Sequence, residues 1–259
     1  RFYVKEGGSG DKSGTSWSNA ADMAGLKSQL AKAETKKIYI AGGTYSTATA
    51  GELTIKNGNY SIYGGYPADA EGYAVNNRNI SENEVIFDGG HSSEANGSRI
   101  MVLNPGNVLV DGVTFQNAYS TSTSGSAIVI AGASVTEFNK CTIKNCAFKN
   151  TSETGVAGVV RVSGSSKNTF NDCVFEGNTT NAKAGVFNQY ADAKLNLNNC
   201  EFYSNTAGHF GGVIYTIGEV NINDCIFVHI CGKRYIDRVE DVTRVTVYSN
   251  QKEVELFAN

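Results

Sequence analysis

Arg161, Asn188 and Tyr215 recur at intervals of 27 residues, each just after two small residues and two apolar ones. The preceding steps are Ala157-Gly158-Val159-Val160, Ala184-Gly185-Val186-Phe187 and Gly211-Gly212-Val213-Ile214. Val160, Phe187 and Ile214 take the inward places of a strand, so the three residues after them point outward. A guanidinium offers a fixed charge, an amide bonds hydroxyls, and a tyrosine face covers the apolar side of a ring. With Tyr190 close to Asn188, these residue types suit successive contacts to an extended ligand such as a glycan or a peptide. Arg161, Asn188, Tyr190 and Tyr215 are therefore the candidate ligand-binding residues.

Other chemistry finds less support. His91, His209 and His229 are scattered without metal-ligand spacing. Asp172 and Asp224 share a repeat position with Lys140 and Asn199, which reads as a solvated turn and not as a calcium cage. No Gly-x-Ser-x-Gly nucleophile motif and no phosphate-binding glycine loop occurs. Neither a metal nor a cofactor is expected, and no catalytic residue is assigned. Gly64-Gly65, Gly89-Gly90 and Gly211-Gly212 read as tight turns and close packing.

The elements that would position the candidate residues come from the same repeat. FNDCVFEGN (170–178), LNNCEFYSN (197–205) and INDCIFVHI (222–230) share an Asn, a Cys and a Phe in fixed order. A period in the range of 20–50 residues signals stacked units. Alternation in Lys194–Leu197 and Glu219–Ile222 is that of strands, and no helical pattern separates them. The fold class is all-β, a single-stranded right-handed parallel β-helix. Val113 with Phe115, and Cys141 with Ile143, continue the Cys and Phe columns backwards. Asp111, Asn139, Asn171, Asn198 and Asn223 predict a ladder of turn side chains tolerant of left-handed backbone. Ile38–Ile40, Leu53–Ile55, Tyr60–Tyr63, Val85–Phe87 and Ile100–Leu103 predict earlier strands. Roughly eight coils at about 4.8 Å would make a rod of about 40 Å.

Coil ends need caps. Met23, Leu26, Leu30 and Ala33 predict an amphipathic helix from about Ala20 to Lys32, capped by Ser18 or Asn19 and joined by Trp17 as a plug. After Gly232 the composition turns charged, and the runs Val242–Tyr248 and Glu253–Phe257 predict a hairpin cap. The whole chain is read as one domain, with an N-terminal cap over 1–37, coils over 38–231 and a C-terminal cap over 232–259.

Net charge is −3 and pI about 5.7, with no basic block, which argues against nucleic acid as a partner. No apolar run reaches the length of a transmembrane segment. Cys141, Cys173, Cys200 and Cys225 occupy one inward column and read as buried free thiols. Pairing of Cys146 and Cys231 stays open.

Tyr3-Val4-Lys5, GSGDKSGTSW (8–17) and IYIAGGTY (38–45) resemble the opening of secreted bacterial right-handed β-helix proteins of the pectin-lyase-like kind. IYGGY (62–66), Arg78 and VIFDG (85–89) resemble a block of Bacteroidetes surface proteins. GGVI (211–214), with FEGN (175–178) and FYSN (202–205), is similar to polymorphic outer membrane protein repeats. The resemblance spans about residues 1–230 and implies a secreted or cell-surface protein, often an adhesin, whose partner is a polysaccharide or a host or cell-surface glycan. Hydrolases of this kind carry Asn-Thr-Asp, Asp-Asp and Gly-His-Gly signatures, absent here. Three functions follow: binding or adhesion to a glycan, a polysaccharide lyase or glycoside hydrolase working around Arg161, or a structural spacer. The missing signatures favour the first.

Overall fold

The computed structural model describes residues 1–69, 77–92, 96–121, 124–152 and 155–232, with the strands Ile236–Arg238 and Val247–Tyr248. Its strands form four parallel sheets of eight, eight, seven and four strands. One circuit runs Val135–Asn139 in the first sheet, Thr142–Lys144 in the second, Ala147–Phe148 in the short fourth and Val160–Val162 in the third. It then arrives at Lys167–Asn171, which lies beside Val135–Asn139 as the next rung. This is the right-handed parallel β-helix, the hand that parallel crossovers take.

The repeat letters become columns. Phe87, Phe115, Ile143, Phe175, Phe202 and Phe227 stand in one register, under Tyr45. Rings of Phe175 and Phe202 stack at 4.7 Å and those of Phe202 and Phe227 at 4.8 Å. The glycine steps are close-packing sites. A Cβ on Gly185 would stand 2.0 Å from the Gly212 carbonyl oxygen, and one on Gly64 2.2 Å from that of Gly112. The ladder is present from Asn139 onward, with bonds of 2.8 Å from Asn171 to Asn139, 2.8 Å from Asn198 to Asn171 and 2.9 Å from Asn223 to Asn198, whereas Asp111 is drawn off by Arg78 and Asn139 donates to Glu137. The left-handed residue is the next one along, Lys140, Asp172, Asn199 and Asp224 at φ 51–53°. The amides must stay on extended backbone to reach the rung below, so the turn falls one place later.

The N-terminal helix is shorter than predicted, Met23–Leu30, and its N-cap is Asp22, which accepts from the Gly25 amide at 3.0 Å. Ser18 and Asn19 lie too early because Ala21 bridges Val4 in extended backbone. At the other end Tyr60 donates to the carbonyls of Gln29 and Lys32, and Ala33 is left exposed. Leu26 and Leu30 are buried against the coil core, with Met23 packed at its edge. Trp17 is not in that plug. It packs with Tyr3, Tyr39, Tyr63 and Tyr66 in an aromatic cluster separate from the coil core. The first sheet also starts before residue 38, since Phe2–Val4 pairs with Ile38–Ile40. In the tail, Ile236–Arg238 and Val247–Tyr248 continue the third and second sheets in parallel. The second arm of the expected hairpin, Glu253–Phe257, lies outside the described residues.

All six cysteines are free. Cys141, Cys173, Cys200 and Cys225 are buried in the core, and each thiol donates to a carbonyl of the preceding rung. Cys146 is buried too, its thiol 3.3 Å from the Lys144 carbonyl, whereas Cys231 is exposed. Native protein treated with a thiol reagent is therefore expected to label at Cys231 alone, the other five reacting only after unfolding. Mass spectrometry of tryptic peptides checks this, and early labelling at Cys173 or Cys200 would contradict the buried column.

Candidate functional site

The third sheet places the predicted residues on one outward column. Thr54, Val102, Val129, Arg161, Asn188 and Tyr215 are successive register partners. Inward neighbours Val160, Val162, Phe187 and Ile214 are fully buried, which holds the column facing away from the core. The corner beyond it is fixed by Gln189. Its amide donates to the carbonyls of Ala193 and Glu219 at 2.8 and 2.7 Å and accepts from Thr216 at 2.9 Å. Tyr190, next in the chain, is thereby presented at the rim and is 38% exposed.

Arg161 and Tyr190 come together, with the guanidinium carbon 5.0 Å from the ring centroid. A second pair forms beside it, the Lys183 ammonium 5.0 Å from the Tyr215 ring. Lys183 was not foreseen. Its only signal is its place just before the small-residue step that precedes the column. Ile217, on the rung after Tyr190, adds an exposed apolar side chain. Asn188 does not join them as a ligand-facing residue. It is 2% exposed, and its amide donates to Ser124 Oγ at 2.9 Å.

A covering segment buries Asn188. Gly125 donates to the Gly158 carbonyl at 2.7 Å and accepts from Arg99 Nε at 2.9 Å. Its backbone lies so close to the sheet that a Cβ would sit 2.6 Å from Val129 Cγ2 and 3.0 Å from Arg161 Cβ. Gly125 thus lies over Val129 and Arg161, and Ser124, 64 residues away in the chain, lies over Asn188.

The two cations are the electrostatic feature of this surface. Among the described residues neither Arg161 nor Lys183 makes an ion pair, and Arg161 Nε is buried without a hydrogen-bond partner. Cations held against aromatic faces on a half-buried surface favour an incoming anion. No group of three or more His, Cys, Asp or Glu stands together as a metal site among the described residues. Asp172 is engaged by Asn199 at 2.6 Å across the turn, in keeping with a turn role. His91 stacks on Tyr119 and His229 is a left-handed turn residue.

No family model matches this chain, and no curated protein matches it. Among solved structures it is similar to the pectin methylesterase from Aspergillus niger. The two are 13% identical over 91% of this chain and 84% of that one, with a TM-score of 0.41. Among the described residues no helix is long and apolar enough to cross a membrane.

Proposed function

We propose that this chain is a binding module, secreted or displayed at a cell surface, that holds an acidic glycan against Arg161, Lys183, Tyr190 and Tyr215. The observation that carries this reading is the pair of cation-over-tyrosine contacts at 5.0 Å, neither cation neutralised by a carboxylate among the described residues. Each contact presents a ring edge, a hydroxyl and a positive charge as one unit. Strands of successive rungs stand about 4.8 Å apart, so the two units meet neighbouring parts of one extended chain. Sugar C–H faces lie on aromatic surface, and a uronate or sulfate finds the guanidinium or ammonium. Asn188 supports the platform from beneath through Ser124.

A glycan array followed by calorimetry tests the reading. Uronate or sulfated oligosaccharides are expected to bind, more weakly as salt rises. Arg161→Ala is expected to lower their affinity at least tenfold, about 1.4 kcal/mol. Neutral glycans should be indifferent to that change. If nothing on the array binds, the chain is a spacer. If unsaturated products accumulate with uronate polymers and Arg161→Ala stops them, the protein is a lyase.

A further inference from the structure

We propose that the cleft between Tyr119 and Thr179, on the outside of the short fourth sheet, is a second binding site and takes a single hexopyranose residue. This site does not rest on the Arg161 reading. It lies on another sheet and uses none of the same residues. Tyr119, Ala147, Thr179 and Thr206 are register partners on successive rungs. Rungs are about 4.8 Å apart, so the strands of Tyr119 and Thr179 stand about 9.6 Å apart with only the Ala147 methyl between their side chains. A cavity of about 370 Å³ opens over Ala147, and its lining includes His91, Tyr119, Asn145, Lys149 and Thr179. That volume falls within the range of small-molecule sites.

Its walls are held by contacts of their own. The His91 ring backs Tyr119 at 4.4 Å and 5° between planes, and His91 Nδ1 lies 2.9 Å from the Asn96 carbonyl. On the far side Asn181 is locked to Asn150, accepting from its amide at 2.6 Å and donating to its carbonyl at 2.9 Å. Asn145 sits on left-handed backbone at φ 53° beside Gly177, where a Cβ would come 2.7 Å from the Asn145 side-chain oxygen. Glycine there leaves the amide its place at the cleft edge. Among the described residues the Tyr119 hydroxyl, the Thr179 hydroxyl and the Asn145 amide have no protein partner.

One aromatic wall faced by hydroxyl and amide groups matches an amphipathic ring. A pyranose lays its C–H face on Tyr119 and turns its hydroxyls to Thr179 and Asn145. A flat aromatic ligand would cover Tyr119 equally well but would strip water from those polar groups without replacing its bonds.

Ligand-observed saturation-transfer spectroscopy with methyl glycosides of neutral hexoses, and indole as the aromatic probe, tests this. At least one glycoside is expected to bind wild-type protein at about millimolar Kd. Ala147→Leu, which fills the cleft from the outer side of its strand, should weaken that binding at least tenfold, as should Tyr119→Ala. Arg161→Ala should leave it unchanged, which separates this site from the glycan surface. Thr179→Val removes only the hydroxyl and gives the same reading should Ala147→Leu not fold. The proposal is overturned if no glycoside binds, if Ala147→Leu and Thr179→Val bind as wild type, or if indole saturates the protein better than the sugars.

Discussion

Above about pH 9 the protein is expected to lose stability steeply, by about 4 kcal/mol per pH unit from three of its thiols. Burial raises Cys173 above the ordinary thiol range, helped by Cys141 and Cys200, and Cys225 is raised as well. For Cys225 the contact with Cys200 is the largest cause and burial the second. Burial pushes Cys146 up to about 12. Contacts from Cys173 and Cys225 favour charge on Cys200, while hydrocarbon around it opposes charge. Cys200 Sγ lies 3.4 Å from the carbonyl oxygens of Phe170 and Asn198, neighbours that also oppose a thiolate. The slope is that of Cys146, Cys173 and Cys225.

The sign follows from which state keeps its protons. Unfolded thiols ionise near about pH 8.5, whereas the folded ones stay protonated. Each such thiol contributes its full stability below that value and loses about 1.4 kcal/mol of it per pH unit above. The loss runs on towards about pH 12, where the folded Cys146 ionises as well. Urea midpoints measured under reducing conditions at about pH 7.5, 9 and 10 check the slope. Cys146→Ala should flatten it by about 1.4 kcal/mol per unit. Stability that stays level across this range would show that the thiols are not held in a dry interior.

Phe170→Ala is expected to cost about 3–5 kcal/mol, a large part of the 5–15 kcal/mol that holds a typical domain. Phe170 stacks on Phe138 at 4.7 Å and meets Phe187 at 5.1 Å and Phe175 at 5.8 Å. It is fully buried where the core sides of three sheets meet. The coils above and below cannot close on the gap, because parallel hydrogen bonds from Val135–Asn139 to Lys194–Asn198 hold the rung spacing. The cavity term is therefore paid almost whole. Thermal unfolding checks it beside Thr169→Ala, the adjacent outward residue, which should shift stability by about 0.5 kcal/mol or less. Equal losses at the two positions would mean that the core is not packed as described.

Much of this architecture was legible because a solenoid turns sequence distance into spatial adjacency. The 27-residue interval that aligns Gly158, Gly185 and Gly212 in the chain also aligns Val160, Phe187 and Ile214 as register partners. The Phe and Asn columns were readable for the same reason. Earlier coils were less regular, yet Phe115 and Ile143 were placed correctly by alternation alone. The capping helix was found but not its start, since pairing of Ala21 with Val4 overrode the helical pattern there.

The candidate surface divides along the same line. Its rung order, Arg161 to Asn188 to Tyr215, was set by repeat spacing, and local alternation told which side of the strand each occupies. What covers that side was not encoded at any period. Ser124 reaches Asn188 from 64 residues away through irregular backbone, and so an expected contact residue became a buried support. Lys183 and Tyr215 meet for a similar reason, each from a different strand or turn. The empty place above Ala147 is the same kind of fact. Periodic hydrogen bonding makes rungs predictable, whereas loops settle by whichever nonlocal contacts outweigh their lost entropy.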